Sequence, residues 1–339
     1  MSLIPAYKRS IYLIYYLKKI DRLTLKKYFK HVIDTKGYST QTLWMDIISC
    51  VYKYNIGLMD YFIFKFFDRD KEERAMWLGT GAKYEYDLIM NPKSTRHLIE
   101  NKIDFYEVYA PFVQHANCTI YDLKQENIMA SKVLNNFSKK VVVKDALGQC
   151  GWDVEVLNLN DYSREELIQY MIKKGFDLAE EFIEQHSDLS KLSPSGLNTI
   201  RIITQINKQG EVDILGACLR ISVNSHVDNL ASGNIAAPVD IDSGIVCSVG
   251  VYSDITKENV ENHPVTGMKI SGFQIPFWVD AIMMAKKAAL YRPENRSIGW
   301  DVAITPNGPD LVEGNHNWCK ILWQLPVNKG LKNSLEQYV

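Results

Sequence analysis

Residues 298–318 read IGWDVAITPNGPDLVEGNHNW, and the fold turns on this stretch. Asp301 stands in an alternating apolar run with Trp300, Val302 and Ile304. Asn307-Gly308 offers a turn, and Leu311-Val312 opens a second run that delivers Glu313. Two short strands joined by a Pro/Asn/Gly turn satisfy the pattern. In such a hairpin Asp301 and Glu313 lie side by side, with the carboxamide of Asn315 two residues further on the same face. Two carboxylates and an amide oxygen form an all-oxygen donor set, hard enough for Mg²⁺ and too poor in nitrogen or sulfur for zinc. The plainer reading of the same residues is a solvated acidic hairpin.

Upstream, the alternation continues. Residues 198–206 (NTIRIITQI) and 212–223 predict a strand, turn and strand that carry Arg201 and Arg220 on opposite arms. A loop of small and polar residues, 228–234, contains Asn229. Strands are predicted at 239–241 and 245–251 around an Asp-Ser-Gly turn, and 276–291 reads as one amphipathic helix ending before Pro293. Farther back, KKVVVK (139–144) is a β-branched strand ending in Lys144. It runs into Asp145-Ala146-Leu147-Gly148-Gln149-Cys150-Gly151-Trp152 and a return strand at 153–157. Such a glycine loop can fold over a ligand and offer backbone N–H groups to phosphate. Ser163-Arg164-Glu165-Glu166 starts a helix that Gly175 stops, and LAEEFI (178–183) is a strand carrying Glu180 and Glu181.

Residues 1–125 carry apolar residues at helical spacing, as in 42–54 and 61–77, and Asn101-Lys102 opens another helix. Gly79-Thr80-Gly81 follows no strand and reads as a helix C-cap and turn rather than a nucleotide loop. The run IYLIYYL (11–17) is too short to cross a bilayer, which takes about 20 apolar residues, and lacks a signal-peptide cleavage site. With Lys18, Lys19, Lys26, Lys27 and Lys30 following, the favoured reading is a core-facing helix with a lysine-coated solvent face. Contact with a membrane surface is the second reading.

The chain has 339 residues, 46% hydrophobic and 23% charged, with net charge -1. This describes a globular chain with ample core and gives no argument for a nucleic-acid partner. Six scattered cysteines without a C-x-x-C pair suit a reduced, cytoplasmic setting and indicate neither a disulfide framework nor a zinc site.

In order along the chain, Lys102, VVVK, the glycine loop, LAEEFI, NTIRIIT, LRIS, VDNLASGN and GWDVAITPNGPDLVEGN resemble the ATP-grasp superfamily. Within it they resemble the sugar-transfer-associated group of bacterial surface-polysaccharide loci. The resemblance covers roughly residues 100–325. It implies an α+β fold of two subdomains gripping ATP, preceded by a mainly helical region: residues 1–125 helical, 126–187 a lid subdomain, 188–339 the metal and acceptor subdomain. It further implies that Lys102 and Lys144 meet the phosphates, that Gly148 to Gly151 covers them, and that the backbone of Glu180, Glu181 and Ile183 pairs with adenine. Glu184 or Gln185 would contact ribose, Arg220 would stabilise an acyl-phosphate, and Arg201 and Asn229 would line the acceptor site. Asp301, Glu313 and Asn315 would hold Mg²⁺, or Mn²⁺ in its place. The loop GQCG is poorer in glycine than is common in the family, and His263 and His316 are given no role.

The implied chemistry is a carboxylate–amine ligase. A sugar uronate or an amino acid is phosphorylated by ATP, and an amine then displaces phosphate, in capsule or O-antigen synthesis at the cytoplasm or the inner membrane face. Neither step needs a protein nucleophile; both need cations around the transferring phosphoryl and a lid against water. The alternatives are a kinase that stops at the phosphorylated product, a non-catalytic ATP-binding scaffold, and a papain-like thiol hydrolase using Cys150, His263 and Asn315. The acceptor, the amine and the oligomeric state are not read from the sequence.

Overall fold

The computed structural model describes residues 5–148, 154–226 and 228–339. Two antiparallel sheets follow one another along these residues. The first comprises β1 (Asn117–Thr119), β2 (Lys140–Lys144), β3 (Val154–Asn158) and β4 (Leu178–Glu181), in the order β1-β4-β2-β3. The second comprises β5 (Thr199–Ile206), β6 (Val212–Ile221), β7 (Ile235–Val239), β8 (Ser297–Thr305) and β9 (Gly308–Asn315), in the order β7-β6-β5-β8-β9. The first sheet draws β1 from ahead of residue 126, because Asn117–Thr119 pairs with β4 rather than continuing the helical region.

Alternation decides which faces are buried. On β5 and β8 the residues Ile200, Ile202, Ile298, Trp300, Val302 and Ile304 point into one core, which the helix Trp278–Tyr291 covers with Ala281, Ala285, Ala288 and Ala289. Phe105 of the helix Lys102–Val108 and Tyr109, which caps its C-terminus, pack there too, Tyr109 meeting Trp300 edge-on with centroids 5.4 Å apart. The opposite face of these strands is left for Arg201, Asp301 and Glu313. The first sheet has its own core of Val141, Val143, Leu167, Met171 and Ala179.

The N-terminal region is helical: α1 (Ser10–Lys19), α2 (Arg22–Lys36) and α3 (Thr40–Tyr54) surround Phe29, Ile47 and Phe62. Three local readings need correction. Residues 61–77 do not form one helix but three short helical pieces separated at Lys65, whose φ is 52°. Phe62, Phe64, Phe66 and Phe67 are all buried, so the segment is enclosed on every side and its spacing reported core rather than a single helical face. Gly79 does not end a helix; it precedes the helix Thr80–Met90. A Cβ on Gly79 would lie 2.5 Å from the Cα of Ile56, so close approach requires the glycine. Finally, in place of a strand at 239–241 the chain forms β7, which ends at Val239 on the edge of the sheet, and residues 245–251 join only through isolated bridges such as Val246 to Val239 and Val251 to Ala236. All five residues of β7 are buried, so IAAPV carries no alternation to read.

Candidate active site

The hairpin β8–β9 places Asp301 opposite Glu313 and Gly299 opposite Asn315; a bulge after Asp301 then pairs Val302 with Leu311. The bulge leaves the apolar residues on the core face and the polar ones on the other. Across β8, Asp301 also faces Arg201 of β5. Its carboxylate accepts from Arg201 through Nε and, at 2.9 Å, Nη2, and from Arg220 Nη1 at 2.7 Å. Arg220 reaches in turn to Asp228, with Nη2 to Oδ1 at 2.6 Å, and Asp228 accepts from the Thr199 N–H at 2.8 Å. Burial pushes the Asp301 carboxyl up, but the two guanidiniums outweigh it and hold it below the usual carboxylate value. Asp228 keeps a raised value because burial there outweighs Arg220.

Next to this clamp lie the lysines. Lys144, at the end of β2, forms a buried ion pair with Glu180 and also donates to the Tyr106 hydroxyl at 3.3 Å. The cross-strand register explains the meeting, since Val142 pairs with Glu180 and Lys144 stands two residues along on the same face. Burial raises Glu180, and Lys144 with His115 more than offsets it. Lys102 opens its helix behind the N-cap Asn101, donates its backbone N–H to Ala146 at 3.0 Å and its ammonium to the Gly148 carbonyl. Burial depresses the Lys102 pKa; Glu313 favours its charged form and Lys144 opposes it. Two buried ammoniums, each with a carboxylate beside it, make a cationic seat of the kind that attracts a polyanion.

β4 ends at Glu181, whose N–H is taken by the Ala116 carbonyl at 2.8 Å. The segment Phe182–Glu184 then leaves the ladder and, with Glu181, lines a cleft of about 750 Å³ whose other walls include Gln114, Met283 and the hairpin tip at Asn307. The backbone of Glu180 and Glu181 is therefore committed to the sheet, and the part free to pair with a planar ring begins at Phe182. Gln185 is occupied as well: its Nε2 donates to the carbonyls of Ser193 and Gly196, and its Oε1 accepts from Asn198. That leaves Glu184, which is exposed.

Asn229 caps a short turn by accepting from Ala231 N–H at 3.1 Å, one residue from Asp228. Gly148 is in place; Gly151 and Cys150 lie outside the described residues. His263 is buried, its Nε2 2.9 Å from the Ser222 carbonyl and its Nδ1 accepting from the Thr266 N–H, so it braces a turn. His316 pairs with Glu100. Tyr106, Asp228 and the His115–Asp310 pair (2.9 Å) were not singled out in sequence. Asp228 opens the polar loop, which is a usable signal; the other three acquire meaning only through long-range contacts.

The donor set fits a hard cation. Among the described residues the Glu313 carboxylate makes no hydrogen bond or ion pair, and the buried Nδ2 of Asn315 has no partner. Among the described residues no three His, Cys, Asp or Glu side chains converge on a metal position, and a divalent ion here would rely on Asp301 and Glu313 with the amide oxygen of Asn315. Asp301 is already bound by two guanidiniums whose combined charge exceeds its own, which makes the site poor for a bare cation and better for one that arrives with phosphate.

The sequence matches the family described as sugar-transfer associated ATP-grasp over residues 82–338. No curated protein matches it. Similar solved structures include the biotin carboxylase domain of Hydrogenobacter thermophilus 2-oxoglutarate carboxylase, with 14% identity, a TM-score of 0.41, and coverage of 69% of this chain and 46% of that one. They also include an L-amino acid ligase from Bacillus licheniformis, with 13% identity, a TM-score of 0.40, and coverage of 71% and 49%. N5-carboxyaminoimidazole synthetase from Staphylococcus aureus, with ADP, shows 8% identity, a TM-score of 0.42, and coverage of 75% and 58%. The chain thus spans about half the length of these proteins. Because the family match over residues 82–338 takes in most of its length, the chain belongs to the sugar-transfer associated ATP-grasp family.

Proposed function

We propose that the protein is an ATP- and Mg²⁺-dependent ligase that joins a small carboxylate to an amine, with a sugar uronate or amino sugar of a surface polysaccharide and an amino acid as the pair. The observation that carries this reading is the convergence of Lys102, Lys144 and Glu313 beside the Arg201–Asp301–Arg220 clamp. In this reading Lys102 and Lys144 bind the phosphates, residues Phe182 to Glu184 seat the adenosine, and Asp301, Glu313 and Asn315 would hold Mg²⁺, which would supply positive charge beside the transferring phosphoryl. Residues 126–187 act as the lid and 188–339 as the metal and acceptor unit.

The acceptor carboxylate attacks the γ-phosphorus and the bond to the bridging oxygen breaks, releasing ADP and leaving an acyl-phosphate. The amine then attacks the acyl carbon, phosphate departs and the nitrogen loses its proton. In this reading Arg201 and Arg220, both bound by Asp301, balance negative charge in both steps, and removing such a donor costs on the order of 10²-fold in rate. The test is phosphate release across paired sugar uronates and amino acids. Phosphate and ADP formed only when an amine is present support the ligase; a stable phosphorylated product formed without amine would replace it with a kinase.

A further inference from the structure

We infer that α1 docks the protein on an anionic lipid surface. Unlike α2 and α3, α1 has no fully buried residue, although nearly every side chain from Ile11 to Leu17 is apolar or aromatic. Its inner side, Leu13 and Tyr16 with Ile20, rests on the N-terminal core. Its outer side is not the lysine-coated face expected from sequence: Ile11 is 68% exposed, Ile14 54% and Tyr15 56%, a stripe at three- and four-residue spacing. Tyr7 extends the patch by one turn, and Tyr84, which meets Tyr12 edge-on, extends it sideways toward Leu88. A helix that is apolar all round and covered on one side leaves a surface that water solvates poorly.

The surrounding charge selects the occupant. Between residues 5 and 30 stand Lys8, Arg9, Lys18, Lys19, Arg22, Lys26, Lys27 and Lys30, against Asp21 alone. Asp21 is engaged as the cap of α2, accepting from Leu23 and Thr24. Arg9 is turned inward to the Tyr52 carbonyl and Lys27 pairs with Asp254; the other six cations are exposed. A second copy of this chain would bring the same cations face to face. An anionic bilayer instead meets these exposed cations with its phosphates, takes isoleucine into its acyl boundary and accepts tyrosine at headgroup depth. No described helix is long and apolar enough to cross the membrane, so the contact lies on the surface. The inference does not depend on the proposed reaction.

The full chain should co-sediment with vesicles of phosphatidylcholine containing about one-third phosphatidylglycerol, not with phosphatidylcholine alone, and release as salt rises toward about 1 M. Lys18→Ala and Lys19→Ala should each weaken partitioning about fivefold. Ile11→Ser with Ile14→Ser should weaken it at least about tenfold while leaving the unfolding temperature and phosphate release unchanged. Failure to sediment with anionic vesicles, or equal binding to neutral ones, overturns the inference. So does a dimer in light scattering that the double serine variant dissociates, since a second copy would then cover the stripe. Because the lysine variants alter no packed residue, their result stands even if the serine variant misfolds.

Discussion

At the scale of single residues, buried charges govern what a substitution does. Lys144→Met strands Glu180 without its cation, and breaking a buried pair in this way costs about 3–5 kcal/mol. Adding Glu180→Gln should recover most of that loss in urea unfolding without restoring nucleotide binding, because the ammonium itself is absent. A double variant that bound nucleotide normally would remove Lys144 from the phosphate site. Glu180 also sets a pH dependence. Its folded pKa lies below the unfolded one, which is about 4.3. Its contribution to stability is therefore present above that value and is lost as pH falls through the folded pKa. Glu180→Gln should flatten the acid limb of stability below about pH 4.3; an unchanged slope would mean that other carboxylates control acid unfolding.

Among the elements, the helix Thr80–Met90 buries Lys83 against Asp87, with the ammonium 4.0 Å from the Trp318 ring centroid. Burial shifts both partners toward their neutral forms, lowering Lys83 and raising Asp87, so desolvation outweighs their attraction. Lys83→Met alone should cost about 3–5 kcal/mol, whereas Lys83→Met with Asp87→Leu should be neutral or stabilising in thermal unfolding; a double variant as weak as the single one would contradict this. On β8, a Cβ at Gly299 would sit 2.6 Å from Trp318 Cβ and 3.0 Å from Arg201 Cδ. Gly299→Ala should thus cost about 1–3 kcal/mol and, by displacing Arg201 from Asp301, slow turnover even where the fold survives. Wild-type turnover in a folded Gly299→Ala variant would separate Arg201 from the reaction. The hairpin around Gly299 was legible because alternation, a turn and a register set by period two fix which residues meet. β7 was not, since side chains buried on both faces leave no period. The helix at Thr80 was misread because Gly79 answers to a contact with Ile56, distant in the chain and invisible in local spacing.

For the molecule as a whole, the helical character of the N-terminal region and the alternating strands of the hairpins could be read from the sequence because those segments carry their own periodicity. What the sequence could not convey is how the parts share charge. It offered Asp301 as a metal ligand and Arg201 and Arg220 as separate contacts; in the folded chain all three form one assembly, with Asp228 as a further anchor. That assembly predicts an order of binding. A lone Mg²⁺ approaching Asp301 meets two guanidiniums already bound to it, while a nucleotide brings the phosphate charge that lets cations crowd together near Glu313. Mg²⁺ alone should therefore leave the unfolding temperature unchanged. Mg²⁺ with a non-hydrolysable ATP analogue at about 100 times its Kd should stabilise the protein by about 2.7 kcal/mol. Glu313→Gln, which removes a carboxylate no guanidinium holds, should abolish the magnesium-dependent part of that gain and keep the unliganded stability. If millimolar Mg²⁺ alone stabilised the protein as much as the two together, the clamp would not oppose the metal, and Asp301 would be a preformed cation ligand instead.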